Sequence, residues 1–177
     1  MGLSGGTDKK NLLIYILMLI TVTAVSVTVW ALFFRTPDVT LAPDYAPVAT
    51  EAHAQPIPND KGERPDAVPG SGSVSLTYSN EVDIDLSSGK VDLLFANPGR
   101  SNQDMVLQIV IQGRVLLQSG RITPGNQVTE LELEQNALEM LSPGGYEGSF
   151  LIFYYDLTSG EKAMVNTEVP IIITVVE

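Results

Sequence analysis

The feature that most constrains this chain is an unbroken run of 23 residues without a charged side chain, from Leu12 to Phe34. As a helix this run is about 34 Å long, enough to cross a bilayer hydrocarbon core of about 30 Å. A cleaved signal peptide usually has an apolar core of only about 7 to 15 residues, followed by a small-residue cleavage site. The run therefore predicts a retained transmembrane helix over residues 11–35, through which the chain contacts the lipid bilayer.

The charges that flank this run predict its orientation. Lys9 and Lys10 precede it, whereas Arg35 alone follows it. Basic residues favour the cytoplasmic side of a membrane. We therefore expect residues 1–10 to form a short cytoplasmic tail, and the rest of the chain to be exported as the extracytoplasmic part of a single-pass protein of the cell membrane.

Individual side chains within the run have expected roles in the membrane. The residues expected to anchor the helix near its two ends are Leu12, Trp30 and Phe34. Aromatic side chains are typical of membrane interfaces. A stripe of small residues lies on one helical face and could allow close helix pairing; it consists of Thr21, Ala24, Thr28 and Ala31. Whether the protein self-associates stays open at this point.

A second type of sequence follows the helix, over residues 36–72. Seven prolines interrupt it, and it shows no apolar periodicity. Because proline removes a backbone donor and disfavours helix in the residue before it, this segment predicts a disordered, semi-extended linker. The sole histidine, His53, lies in this segment, where we expect nothing to orient it for catalysis.

The remaining residues, 73–177, predict an all-β domain. Short apolar runs are separated by turn residues such as Asn97-Pro98-Gly99 and Pro143-Gly144-Gly145. Eight strands are expected, at 74–78, 82–86, 90–96, 105–112, 115–118, 127–133, 146–156 and 164–176. Seven or eight such strands in about 105 residues are typical of an antiparallel β-sandwich. The chain has no cysteine, so its folding depends on a hydrophobic core without disulfides.

The pattern within the strands separates half-buried strands from fully covered ones. Within residues 128–134, Leu131 and Leu133 alternate with three glutamates, which indicates one buried face and one solvated face. The stretches from Val106 to Ile111 and from Ile171 to Val176 are more continuously apolar, as in central strands or strands covered on both faces. If the second stretch is exposed at an edge, it could pair with a partner strand. Pro170 cannot donate to a ladder and predicts an edge or a bulge.

One stretch carries a resemblance to a known family. Leu141-Ser-Pro-Gly-Gly-Tyr146, followed by Phe150-Leu-Ile-Phe-Tyr-Tyr155, resembles the tyrosine corner of immunoglobulin-like and fibronectin type III domains. There, a tyrosine that opens strand F bonds back to the preceding backbone. Residues 95–111 and 119–125 also resemble immunoglobulin-like domains of bacterial cell envelopes, including membrane-anchored proteins of Gram-positive bacteria. The resemblance implies an immunoglobulin-like β-sandwich over residues 73–177, in which Tyr146 has a structural role.

Candidate chemistry is sparse in this sequence. We expect no enzyme and no cofactor, because the sequence shows no nucleophile elbow, no histidine-based triad and no phosphate-binding glycine motif. A weak metal alternative lies at Glu81, Asp83 and Asp85, with a second acidic run at Glu130, Glu132 and Glu134. Carboxylates two residues apart on a strand share a face but lie too far apart to hold one calcium ion alone. We interpret both runs as solvated faces.

Composition narrows the expected partners. From Val74 onward the chain has 14 acidic and five basic residues, and its overall net charge is −11. Nucleic acid is therefore not an expected partner. We expect a membrane-anchored interaction or structural module that binds another cell-envelope protein. One alternative is a carbohydrate- or cell-wall-binding module that uses Tyr78, Tyr154 or Tyr155 as an aromatic platform, and another is a calcium-dependent module.

Overall fold

The computed structural model describes residues 6–34, 43–62 and 73–177, and these belong to two compact units. The first unit contains helix α1, Gly6–Phe34. Its side chains are described for residues 11–26, and all of them are exposed. Across the side chains that the structure describes, no helix is both long enough and apolar enough to span a membrane.

The second unit is predominantly β, as the sequence predicts. Its strands are β1 Gln55–Pro56, β2 Thr77–Tyr78, β3 Glu81–Asp85, β4 Lys90–Asn97, β5 Gln103–Ile111, β6 Arg114–Gln118, β7 Asn126–Glu132, β8 Gly144–Asp156 and β9 Lys162–Val176. One short helix, α2 Gln135–Leu138, follows β7. Each of the eight expected strands is present. All but the first lie within two residues of their expected limits, whereas β2 keeps only the last two residues of its range.

The strands form one curled sheet in the order β1-β7-β4-β3-β9-β8-β5-β6, with β2 paired to β4. Most neighbours are antiparallel, but β3 pairs parallel to the end of β9 while pairing antiparallel to β4. Strand β3 thus joins the strands β4 and β7 to the strands β9, β8, β5 and β6. This curling encloses the core.

The core lies on the inner, concave face of the curled sheet. The ring of Phe150 on β8 meets Phe95 of β4 edge-on, with centroids 6.1 Å apart, and meets Tyr78 of β2 at 6.4 Å. Val128 of β7 and Ile173 of β9 are fully buried beside them. Alternation in the strands places these side chains on one face, and burial of their apolar surface stabilises the fold.

The structure corrects the expected linker. Residues 43–62, which the sequence places in a disordered linker over residues 36–72, belong to the β-rich unit; we call them the strap. Its strand β1 pairs with β7, and isolated bridges join Tyr45 to Glu161 and Thr50 to Arg121. Strap backbone groups therefore form sheet-like hydrogen bonds despite their prolines. The rest of the expected linker, residues 35–42 and 63–72, lies outside the described residues.

Candidate interaction surface

The strap lies against two turn glycines. A Cβ added to Gly120 would lie 2.8 Å from the backbone N and Cα of Glu51, and one added to Gly99 would lie 2.7 Å from Cα of Gly62. Both distances are closer than real Cβ contacts allow, so glycine is needed for this approach. The strap thus depends on the absence of side chains at two turns.

Carboxylates of the strap bind the backbone of the same turns. The N–H of Gly120 donates to Oε2 of Glu51 at 2.5 Å, and the N–H of Gly99 donates to Oδ2 of Asp60 at 2.5 Å. Asp60 also accepts from the N–H of Gly62, and these two backbone hydrogen bonds lower its pKa below the ordinary value of 3.8. Both hydrogen bonds to Asp60 favour its charged form.

The strap covers part of the outer face of the sheet. Its residue Ala46 packs against a small cluster formed by Val106 of β5 with Phe153 and Tyr155 of β8. The hydroxyl of Tyr155 donates to the carbonyl of Pro43 at 3.0 Å. Burial, followed by the nearby Asp44 carboxylate, raises the pKa of Tyr155. The strap therefore shields the outer face from solvent at the end that contains Phe153 and Tyr155.

The opposite end of this outer face is open. The ladder aligns Glu81 of β3, Ile172 of β9 and Glu147 of β8 in one row across three strands. Ile172 is 57% exposed, and the strand alternation that buries its neighbours Ile171 and Ile173 places its side chain outward. The row therefore presents an apolar side chain flanked by two carboxylates.

An open groove of about 910 Å³ extends over this region. Its apolar lining includes Val110, Pro170 and Ile172, and its carboxylates are Glu147 and Glu168. None of the described residues that line the groove is lysine or arginine. The surface is apolar and acidic, a combination that suits an apolar, cationic ligand rather than a phosphate.

The adjacent strand β9 has two neighbours over only part of its length. Residues 172–175 lie between β8 and β3, whereas the first part of β9 pairs only with β8 among the described residues. We call the unpaired side of residues 163–170 the open edge. The hypothesis that Ile171 to Val176 offers a free edge is therefore wrong, because β3 already occupies it. The edge predicted at Pro170 is confirmed.

Large apolar side chains are exposed along the open edge. Met164 is 105% exposed relative to its reference state, and Val165 is 70% exposed. Ladder geometry also defines which backbone groups of β9 point away from β8, in the plane of the sheet. Because the N–H of Ile172 donates to Asn80 on the β3 side, the two-residue period points the N–H groups of Asn166 and Glu168 to that same side.

The residues of the weak metal alternative lie along β3. Glu81 and Asp83 are exposed on β3, and the carboxylate of Asp85 accepts hydrogen bonds from Ser87, which most strongly lowers the pKa of Asp85. Among the described residues, no three potential ligands come together to hold a metal ion. In the second acidic run, Glu130 forms an ion pair at 2.9 Å with Lys90.

The tyrosines of the expected carbohydrate platform are mostly buried. Tyr154 and Tyr155 do point to opposite faces, but both are buried, since Tyr154 enters the core and the strap covers Tyr155. Tyr78 is 39% exposed, but its ring packs on Phe150. Of the three expected platform tyrosines, Tyr155 is therefore on the outer face but covered by the strap.

Tyr146 forms the hydrogen bonds that a tyrosine corner requires. Its hydroxyl donates to the carbonyl of Ser142 at 2.9 Å and accepts from the N–H of Ser142 at 3.2 Å. The side chain also packs against the core. It thereby ties the turn that precedes β8 to the body of the sheet.

The predicted membrane residues lie on α1. Leu12 is 60% exposed, and Thr21 and Ala24 are exposed on the same helix. The hydroxyl of Thr21 donates to the carbonyl of Leu17 at 2.9 Å, so its polar group is satisfied within the helix. The remaining side chains, those of Thr28, Trp30, Ala31 and Phe34, lie outside the described residues, as does the pairing of the proposed stripe.

Sequence reasoning missed the residues that hold the strap. Glu51 and Asp60 each lie in a proline-interrupted segment without periodicity, and Gly99 and Gly120 read as ordinary turn glycines. The carboxylates are charges within an apolar-poor stretch, which is a common linker pattern. His53 is also part of the strap, where its backbone N–H donates to Glu51.

No protein-family model and no curated protein matches this sequence.

Proposed function

We propose that this chain is a membrane-anchored, extracytoplasmic module that binds another protein of the cell envelope through the outer face and the open edge of its β-rich unit. The observation that carries this proposal is the exposure of Met164, Val165 and Ile172 beside an unpaired sheet edge. Apolar side chains grouped at an incompletely paired edge mark interaction sites in folded proteins.

The anchor part of the proposal rests on α1 and on the sequence of its flanks. The apolar run from Leu12 to Phe34 is long enough to cross a bilayer. The hydroxyls of Thr21 and Thr23 donate to carbonyls four residues earlier, so these side chains leave no donor to be satisfied by lipid. The excess of lysine before the run favours a cytoplasmic N-terminus.

The immunoglobulin-like part of the proposal rests on strand order. One group of strands runs β7-β4-β3 and the other runs β3-β9-β8-β5-β6. These orders correspond to E-B-A and A-G-F-C-C′ of an immunoglobulin-like sandwich in which the first strand contacts both sheets. The hydrogen bonds between Tyr146 and Ser142 lie at the position of the corner before strand F. Both features favour a two-sheet sandwich.

Site-specific photo-crosslinking in membranes of the native cells tests the proposed function. A photoreactive phenylalanine analogue replaces Met164 in the full chain, and in a matched control it replaces Met140, which is 49% exposed beside α2. We expect a discrete protein adduct from position 164 and a much weaker one from position 140. Adducts with glycan, or equal labelling from both positions, would overturn the proposal.

A further inference from the structure

We propose that the open edge binds an extended segment of a partner protein in which basic and apolar residues alternate, adding a strand to β9. This proposal rests on the proposed function, because it names the partner chemistry of the same surface. It follows from three features of the described residues: the backbone groups of the edge, the two faces of β9 and the charge around the groove.

The backbone defines the length and position of the added strand. Asn166 and Glu168 direct N–H and C=O groups away from β8, which is the pattern that an incoming strand requires. We call the stretch of the open edge that a partner strand can pair with the slot. Pro170 has no N–H and lies next to the start of the pairing with β3, so the slot ends there. At the other end the N–H of Lys162 already donates to Asp44. The slot therefore accepts a short extended segment.

The two faces of β9 call for different side chains on the incoming strand. On the outer face, Glu168 is exposed, and it lines the same groove as Glu147. A basic residue opposite Glu168 would form a favourable cross-strand pair. On the inner face, Val169 packs against the core and Thr167 accepts a hydrogen bond from Tyr154. Apolar side chains on that face would extend the core.

Charge favours a basic partner over a second copy of this chain. Self-pairing of two open edges would bring two acidic β-rich units together, including both Glu168 side chains, and the net charge of each chain is −11. Like charges on neighbouring strands are destabilising. A segment with lysine or arginine at alternate positions meets complementary carboxylates and gains electrostatic steering.

Binding of synthetic peptides to the full chain in detergent tests this inference. The probe is an unstructured peptide of about eight residues with alternating valine and lysine, a length typical of strands. One comparison peptide replaces lysine by glutamate. Another carries a methyl group on the backbone amide nitrogen of each lysine residue, which keeps the side-chain charge but removes the backbone N–H donors that would face the edge. Affinity is measured by fluorescence anisotropy, and the position of binding by amide hydrogen exchange.

Three substitutions at Glu168 separate backbone pairing from charge. Glu168→Pro removes the carboxylate together with an N–H that has no ladder partner on β8, so the fold should tolerate it. Glu168→Gln removes only the charge and Glu168→Lys reverses it, so strand addition predicts weaker binding by Glu168→Pro than by Glu168→Gln. The matched control is Glu139→Lys, which makes the same charge change beside α2. Thermal unfolding of each variant shows whether the domain remains folded.

The expected result is slower exchange at Asn166 and Glu168 when the lysine peptide is bound, with little binding of the two comparison peptides. Glu168→Lys should weaken binding about three- to thirtyfold, and Glu139→Lys less than about twofold. Binding that is insensitive to N-methylation, or unchanged exchange at the edge under saturating peptide, would overturn strand addition. Concentration-dependent dimerisation that protects the same amides would instead assign the edge to a second copy and overturn the basic-partner proposal.

The two proposals fail in different ways. If the lysine peptide leaves the edge unprotected while Met164 still crosslinks to a protein, the interaction function stands and strand addition does not. If the peptide pairs with the edge but the crosslinks reach only glycan, the edge chemistry stands and the proposed envelope-protein partner does not.

Discussion

Replacing Gly120 by alanine should loosen the strap from the rest of the β-rich unit. The added Cβ would lie 2.8 Å from the backbone of Glu51, and atoms this close must move apart. The obstacle is backbone rather than a flexible side chain, so a rotamer change cannot relieve it. The same movement stretches the hydrogen bond from the N–H of Gly120 to the Glu51 carboxylate and weakens the cover over Tyr155.

The expected cost follows from two ways of relieving this contact. If the strap stays in place, the site is overpacked, which typically costs about 1 to 3 kcal/mol. If the strap lifts, the unit loses a hydrogen bond to a charged group, worth about 1.5 to 3 kcal/mol. Because the protein follows the less costly route, we expect about 1 to 3 kcal/mol. For a domain of this size this corresponds to a Tm lower by roughly 4 to 12 °C.

Thermal unfolding and amide hydrogen exchange measure this effect. The matched control is Gly145→Ala, because a Cβ at Gly145 meets no atom within 4 Å and its φ lies outside the left-handed region. We expect faster exchange across residues 43–62 in Gly120→Ala, and no such change in the control. A Gly120→Ala protein with wild-type Tm and wild-type exchange in the strap would refute a packed strap.

Two further predictions concern single side chains. Tyr146→Phe removes the hydrogen bonds to Ser142 and should lower the free energy of unfolding, measured in urea, by about 0.5 to 1.5 kcal/mol. The control Tyr78→Phe should change this free energy by less. Equal effects of the two substitutions would argue against a tyrosine corner. The pKa of Asp60 is lowered in the folded protein, so its contribution to strap docking is complete above about pH 3.8 and is lost as the pH falls through the lowered value. The protection factors of amides in residues 43–62, which are corrected for the intrinsic slowing of exchange at lower pH, should therefore fall in acid. Asp60→Asn should lower these protection factors already at neutral pH; a variant that keeps the wild-type pH profile would contradict this role.

Much of the fold was predictable because it depends on local patterns. Within residues 128–134, Leu131 and Leu133 alternate with glutamates, and both leucines are buried, Leu131 on β7 and Leu133 directly after it. The continuous apolar run in β5 indicated a covered strand, and β5 lies between β8 and β6 with both faces mostly buried. These patterns succeed because strand side chains alternate with a period of two, so burial is visible in the sequence.

The candidate interaction surface was not predictable in the same way. The acidic and apolar residues of the row Glu81, Ile172 and Glu147 come from three strands that are far apart in sequence. The continuous apolar stretch at the end of β9 suggested both a central strand and a free edge. The parallel pairing with β3 decided between them, and among the described residues it left the earlier part of β9 paired on one side only, with β8.

By itself, the sequence determined the apolar helix, the number and approximate limits of the strands beyond residue 80, and the tyrosine that closes the turn before β8. Only the tertiary structure showed that the strap belongs to the β-rich unit, that Tyr155 is buried beneath it, and that the open edge lies at residues 163–170. The physical reason is the range of the interactions concerned. Alternation and turn chemistry act between neighbouring residues, whereas the close approach of Glu51 to Gly120 joins residues 69 positions apart.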